Sequence, residues 1–413
     1  MNDLDTFRAL LTPEGTGLLD SLRDHDPAQE LALATRLRRT HAPELVSAAL
    51  AQARLRQRAV AKFGADDAYR MFFTPNGVEQ STRASVAAYR ARVFAAQGVR
   101  SVADLCCGIG GDALALARAG ISVLAVDRDE LTAEVARANA AALGLAELIE
   151  VRCADVTDVD TSGWDAVFVD PARRGGRGRV FDPEAYSPPL SWAIGAALKA
   201  PLAALKIAPG IPHETVPPQA EAEWISDGGD VKEAVLWFGQ AQGFGQAQGS
   251  GQAHAPLHTR TPGAVRATLL PAEATLRASA PLPSPPVGPV GRYLHEPDGA
   301  VIRAHLVADV VAACGGRLID ETIAYVTSDE PYASPFTTAY EITDELPFNM
   351  KKLKALLRER GVGVLTVKKR GSAVEPEELR RKMKLQGRGS ATVFLTRVAG
   401  APTMLIGHPA GRP

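Results

Sequence analysis

Val102-Ala-Asp-Leu-Cys-Cys-Gly-Ile-Gly-Gly-Asp112 is the stretch that decides how this chain folds. A short apolar run ends at Leu105, a loop of small residues follows, and a helix is expected to start near Asp112. Glycines let a backbone pass close to a ligand. A helix N-terminus presents N–H groups that no helical carbonyl can satisfy. Gly108-x-Gly110-x-x-Ala113 also satisfies the dinucleotide pattern, so the loop alone does not choose a ligand.

Four acids narrow the choice. Asp104 lies inside the end of the strand, where a carboxylate can hold a cationic amine such as a methionine ammonium and would repel a pyrophosphate. Asp127 closes the next strand, Val-Leu-Ala-Val-Asp-Arg, in the usual place of an acid that grips ribose hydroxyls. Asp155 follows a third strand and can accept from an exocyclic adenine amine. Val167-Phe-Val-Asp-Pro-Ala-Arg-Arg174 ends a fourth. Ligands of open α/β sheets bind at carboxyl strand ends, so Asp170 is expected to face the same crevice, with Pro171 shaping the turn after it.

Working outward, Val102–Leu105, Ser122–Val126, Leu148–Arg152, Ala166–Val169 and Leu202–Ile207 are strand-sized apolar runs. Helix-like stretches at Asp112–Ala119, Glu130–Leu143 and Leu190–Leu198 separate most of them. That alternation means βαβ units and a parallel sheet, a Rossmann-like α/β fold. Residues 1–95 read as a helical N-terminal domain, through Leu31–Arg39, Glu44–Arg58 and Ser81–Phe94. The sheet domain is expected over 96–275, closing on an antiparallel pair of Val231–Phe238 and Val265–Leu270. A low-complexity Gly/Gln/Ala stretch at about 239–262 reads as a flexible insertion. Past a proline-rich linker, 276–413 reads as a third, α+β domain. Ile302–Ala313 is expected as a helix, and the order from Thr338 is β-α-β-α-β-β with a largely antiparallel sheet.

The bulk composition excludes several classes. A net charge of −1 over 413 residues argues against wholesale coating of nucleic acid. Four cysteines without a CxxC pair make a disulfide framework or a zinc site improbable, and no metal is expected. The acidic N-terminus lacks the build of a signal peptide, and no apolar run is long enough for a membrane span. A reducing cytoplasm is the expected compartment.

The Asp-x-Cys-Cys-Gly-x-Gly-Gly loop, Asp127, Asp155 and Asp170-Pro-Ala together resemble the motifs of class I S-adenosylmethionine methyltransferases. Asp-Pro-Ala-Arg-Arg, Phe72-Phe-Thr…Glu79-Gln-Ser-Thr82 and Tyr293-Leu-His-Glu-Pro-Asp-Gly-Ala-Val-Ile resemble a subgroup carrying a C-terminal THUMP-like, ferredoxin-like domain. That subgroup is distantly similar to trimethylguanosine synthase-type RNA guanine-N2 methyltransferases. The resemblance implies S-adenosyl-L-methionine as cofactor, held by Asp104, Cys106, Gly108, Gly110, Asp127, Arg128, Asp155, Val156 and Asp170. It implies catalysis at Asp170 and Pro171. Cys106 stands where the family loop has its first glycine, and Ala172-Arg173 where amino-directed enzymes have proline and an aromatic. Phe181, or Phe72 and Phe73 of the N-terminal segment, are the candidate stack for a base.

The acceptor is read from charge. Arg173 and Arg174 open a glycine-rich loop directly after Asp170, and arginine forks suit phosphate. Residues 350–400 hold fourteen Lys/Arg against four Glu, a net of +10 in a chain whose total is −1. Such asymmetry fits a phosphate backbone, which makes RNA the expected partner. A small-molecule methyltransferase and an NAD-dependent oxidoreductase remain the competing readings, with a cofactor-binding RNA adaptor without turnover behind them.

Overall fold

Prolines and threonines set the starts of the first helices. The computed structural model describes residues 3–172, 182–239 and 261–410, with only the backbone of Arg174–Gly175 and Gly178–Arg179. Ahead of the first strand come α1 (Asp3–Leu10), α2 (Pro13–Ser21), α3 (Glu30–Leu37), α4 (Pro43–Phe63), α5 (Ala65–Ala68), α6 (Pro75–Gln80) and α7 (Ala84–Ala96). Proline opens α2, α4 and α6, and the Thr12 and Thr74 side chains cap α2 and α6 by accepting from Gly15 and Gly77 N–H. Along α4, Val46, Ala49, Leu50 and Ala53 recur at helical spacing and are buried.

The alternating region follows as expected: β1 (Ser101–Leu105), α8 (Gly111–Arg118), β2 (Ser122–Asp127), α9 (Glu130–Ala142), β3 (Ile149–Cys153) and β4 (Ala166–Val169). A hairpin of β5 (Arg174–Gly175) and β6 (Gly178–Arg179) precedes α10 (Leu190–Lys199) and β7 (Leu202–Ile207). The long strands pair in parallel in the order β7-β4-β1-β2-β3. Chain order reverses direction between β1 and β4, which places a topological switch point there.

Next come β8 (Glu221–Asp227), β9 (Asp230–Phe238), β10 (Val265–Leu270) and β11 (Ala274–Ala278). The expected hairpin of β9 and β10 is corrected: β10 lies parallel to β8 and antiparallel to β11. In the sequence β8 lacks a strand's apolar pattern, because Glu221 and Glu223 interrupt it. In the fold Arg266 of β10 and Arg277 of β11 neutralise these buried carboxylates, and Thr268 donates to Glu223. Most of the insertion expected at 239–262 lies outside the described residues.

The chain divides into two compact units, Met1–Ala220 with Val235–Pro262, and Glu221–Ala234 with Gly263–Pro413. These limits differ from the three parts expected from the sequence. The helices ahead of β1 belong with the parallel sheet, whereas β8, β10 and β11 belong with the C-terminal part.

The second unit continues with β12 (Tyr293–Pro297), α11 (Gly299–Arg303), α12 (Val307–Cys314), β13 (Arg317–Asp320), β14 (Ile323–Ser328) and β15 (Thr337–Pro347). The single helix expected over Ile302–Ala313 is two helices. His305 adopts a left-handed φ of 58°, and Leu306 N–H closes back on Val301 O at 2.9 Å, ending α11. Then follow α13 (Met350–Glu359), β16 (Val362–Lys369), α14 (Pro376–Met383), β17 (Gly389–Val398) and β18 (Ala401–Pro409), in the expected order. The sheet runs β13-β14-β12-β15-β18-β17-β16. Only β16 and β17, joined through α14, pair in parallel.

Alternate residues of β17 and β18 serve two cores. Val393, Leu395, Met404 and Ile406 pack under α13 and α14, while Phe394 and Leu405 face Leu294, Tyr325 and Tyr340. The sheet curls until the β13–β14 turn meets the β17–β18 turn, where Asp320 accepts from Gly400 N–H at 2.7 Å. Phe394 stacks edge-on with Tyr340 and Tyr325, at 4.8 and 5.6 Å between centroids. Phe394→Ala is expected to cost about 3–5 kcal/mol. A urea midpoint equal to that of the wild type would contradict this packing.

Candidate active site

The loop after β1 turns sharply because Cys106, Gly108 and Gly110 all take left-handed φ values, 64°, 57° and 88°. Only glycine adopts that region without strain, so Cys106 costs about 1–2 kcal/mol where it stands. Cys107 N–H donates to Val126 O at 3.0 Å, which holds the loop against β2. Asp127 is built into the same loop. Its two oxygens accept from Gly108 N–H and Asp129 N–H, both at 3.0 Å, and burial raises its pKa. Each carboxylate oxygen keeps a second lone pair for a hydroxyl donor.

Asp104 is the anomaly of the site. It is 0% exposed on β1, and neither carboxylate oxygen has a hydrogen-bond partner among the described residues. Burial first, and then the neighbouring Asp112 and Asp170, push it well above the ordinary carboxylate range. Arg90 and Lys206 oppose that shift. Arg90 lies 3.4 Å from Asp112 and over the Phe168 ring. Three acids and two cations thus share the carboxyl end of β1 and β4, and a cationic ligand would complete the balance.

Asp170 closes β4 as expected, its N–H bonded to Leu105 O at 3.1 Å, which ties it to β1 at the switch point. Its Oδ2 accepts from Lys206 Nζ at 2.7 Å, and Lys206 also donates to Thr82 Oγ1 at 2.9 Å. Pro171 is buried directly behind it. Lys206 and Arg90 were missed in the sequence. The signal for the first was a lone lysine in the otherwise apolar Leu-Ala-Ala-Leu-Lys-Ile.

Thr82 belongs to a segment pinned onto the site. Asn139 of α9 accepts from Phe72 N–H at 2.6 Å and donates to Phe72 O and Ile109 O at 3.0 and 2.9 Å. Gln52 brackets Phe73 N–H and O in the same way. Lys62 donates to the carbonyls of Glu79 and Ser81, and its pKa falls to about 8, chiefly through burial. Phe73, expected as a stacking ring, is corrected: it is 2% exposed against Phe63, a core residue with no face for a base.

The remaining candidates lie around the rim. Asp155 caps the single turn Val156–Asp158, its Oδ1 accepting from Thr157 N–H and Oγ1, which lowers its pKa. Its Oδ2 makes no hydrogen bond among the described residues. Val156 is buried beside it, and Arg128 is exposed near Asp127 and Asp155. Arg173, Phe181 and the side chain of Arg174 lie outside the described residues. Among the described residues no His, Cys, Asp and Glu group could hold a metal ion, and no helix is long and apolar enough to cross a membrane.

Comparison with known proteins gives this geometry a family. Residues 102–171 match the model of a methyltransferase domain, 337–409 that of a THUMP domain-like family, and 3–59 a domain of unknown function. An uncharacterized S-adenosylmethionine-dependent methyltransferase of Mycobacterium tuberculosis, from strains H37Rv and CDC 1551, is 33% identical over 366 residues. That alignment covers 86% of this chain and 93% of the relative. The chain belongs to the S-adenosylmethionine-dependent methyltransferases. Its fold is similar to that of a putative methyltransferase from Porphyromonas gingivalis W83, with a TM-score of 0.75 at 21% identity and full coverage of both chains. The methyltransferase is of class I, with a Rossmann-like sheet and a C-terminal THUMP-like, ferredoxin-like domain.

The residues present fit the cofactor. A buried carboxylate without a partner suits the methionine ammonium, and Asp127 suits ribose hydroxyls. Removing an ionic hydrogen bond costs about 1.5–3 kcal/mol, so Asp104→Asn is expected to weaken S-adenosylmethionine about 10- to 100-fold in calorimetry. Without ligand, the raised pKa of Asp104 means that protonated Asp104 stabilises the fold. That contribution is complete below the ordinary carboxylate range and is lost as pH rises through the raised value. The variant should therefore lose less stability between acid and neutral pH than the wild type. Equal affinity and equal pH dependence would remove Asp104 from the site.

Proposed function

We propose that this methyltransferase acts on a base nitrogen of structured RNA, ribosomal or transfer. The observation that carries the reading is the outer surface of α13 and α14. Leu353, Leu357, Leu379 and Met383 turn inward onto the sheet, which leaves the basic positions outside. Arg360, Lys369, Arg380 and Lys382 are neutralised by Asp344, Glu375, Glu377 and Glu378. Lys351, Lys352, Lys354, Arg358, Arg381 and Lys384, with Arg388 beyond them, form no ion pair among the described residues. Lys354 instead donates to Lys382 O at 3.0 Å, which links the two helices into one face. Cations left without protein counter-ions suit phosphates, and the scarcity of aromatics there favours recognition by shape and backbone.

The chemistry follows from Asp170. When bound, the sulfonium supplies the methyl group to in-line displacement, so positioning the acceptor supplies much of the acceleration. Asp170 accepts an N–H of the base, which orients the nitrogen lone pair toward the methyl carbon, and it receives the departing proton. Carbon methylation is disfavoured on the cysteines. Methylation at pyrimidine C5 requires a thiolate, whereas burial and the surrounding acids push the Cys106 and Cys107 thiols up.

The test is transfer of labelled methyl from S-adenosylmethionine to fractionated cellular RNA, followed by nucleoside analysis. Label in an N-methylated nucleoside is expected. Label confined to small molecules would overturn the RNA reading. Reversing Lys352, Arg358, Arg381 and Lys384 to Glu should lower RNA affinity by at least about tenfold and flatten its salt dependence by roughly 0.7–0.9 per lost phosphate contact. An unchanged slope would exclude this face.

A further inference from the structure

We propose that Lys206 is a positioning residue for methyl transfer, holding Asp170 in the orientation that receives the acceptor. The inference rests on the reading of Asp170 given above. A lysine that is 5% exposed on a central strand is expensive to bury unless its charge is used. Here Nζ lies 2.7 Å from Asp170 Oδ2 and 2.9 Å from Thr82 Oγ1. Asp170 Oδ1 makes no hydrogen bond among the described residues, and the side chain is 27% exposed. One oxygen is committed to the protein and the other is open.

The partner arrangement sets direction. β4 and β7 run in parallel register with Val169 beside Leu205, so Asp170, the first residue past β4, comes next in register beside Lys206 of β7. A carboxylate on a single bond rotates freely at a strand end. Anchoring Oδ2 removes that freedom and fixes where Oδ1 lies, the kind of pre-organisation that raises turnover rather than affinity. Thr82 prevents Lys206 from following the carboxylate outward. Thr82 itself is held by the segment that Lys62 and Asn139 anchor. The chain of contacts therefore runs from the N-terminal helices through Thr82 and Lys206 to the reacting carboxylate, and Lys206 touches the acceptor only through Asp170.

A purely structural ion pair would predict different kinetics. Lys206→Met should lower kcat by about 100-fold, the scale of a 1 Å misplacement, with acceptor KM and S-adenosylmethionine Kd little changed. Lys206→Arg, which keeps the charge, should recover part of the loss. In an Asp170→Asn background the same Lys206→Met change should cost less than about twofold, because a residue acting through Asp170 has nothing left to position. Multiplicative losses in the double variant, or a Lys206→Met enzyme with wild-type kcat, overturn the inference alone. Absence of RNA methylation by the wild-type enzyme overturns the RNA reading and this inference with it.

Discussion

A buried carboxylate without a hydrogen-bond donor is the constraint around which the catalytic half of this protein is arranged. Asp104 sits one residue before the carboxyl end of β1, fully buried, and no donor among the described residues reaches it. An isolated buried charge is costly, so such a group either stays protonated or meets a cation. Its surroundings make both states accessible: Asp112 and Asp170 favour the proton, while Arg90 and Lys206 favour the carboxylate. A ligand bearing an ammonium and a sulfonium would bring the positive charge that this carboxyl lacks.

The same economy explains the N-terminal helices. Phe72 to Thr82 holds the short helix α6, and the backbone on either side of its core is satisfied from two other helices, by Gln52 and Lys62 of α4 and by Asn139 of α9. Backbone groups held by buried side chains are rigid, because losing any one leaves an unsatisfied polar group. Asn139 also holds Ile109 O, so one side chain couples this segment to the cofactor loop. Helices that read as a separate domain in the sequence therefore pack in one unit with that loop.

Much of this was legible in the sequence because it is local. Strand ends, glycine loops and helix caps follow from neighbouring residues, and β1, β2, β3, β4 and β7 fall within one residue of their expected limits. Asp104, Asp127 and Asp170 are singled out by position alone, and the parallel pairing of their strands brings the three together. What escaped depends on partners far along the chain. β8 reads as polar until Arg266 and Arg277 arrive to neutralise Glu221 and Glu223. Lys206 looks like an interruption of an apolar strand until Asp170 and Thr82 flank it. Phe73 looked available because burial cannot be read from a turn-like motif. The THUMP-like domain shows the converse, since its order of elements was plain, while the separation into neutralised and unneutralised cations needed the fold.

We propose that Asp104 pairs with the cofactor's cationic group and that its raised pKa couples this binding to loss of a proton. Calorimetric titration of S-adenosylmethionine near neutral pH, repeated in buffers of different ionisation enthalpy, measures this directly. The expected heat varies with the buffer, corresponding to release of up to about one proton per site, and that dependence is lost in Asp104→Asn. A heat that is the same in every buffer for the wild-type protein would contradict it.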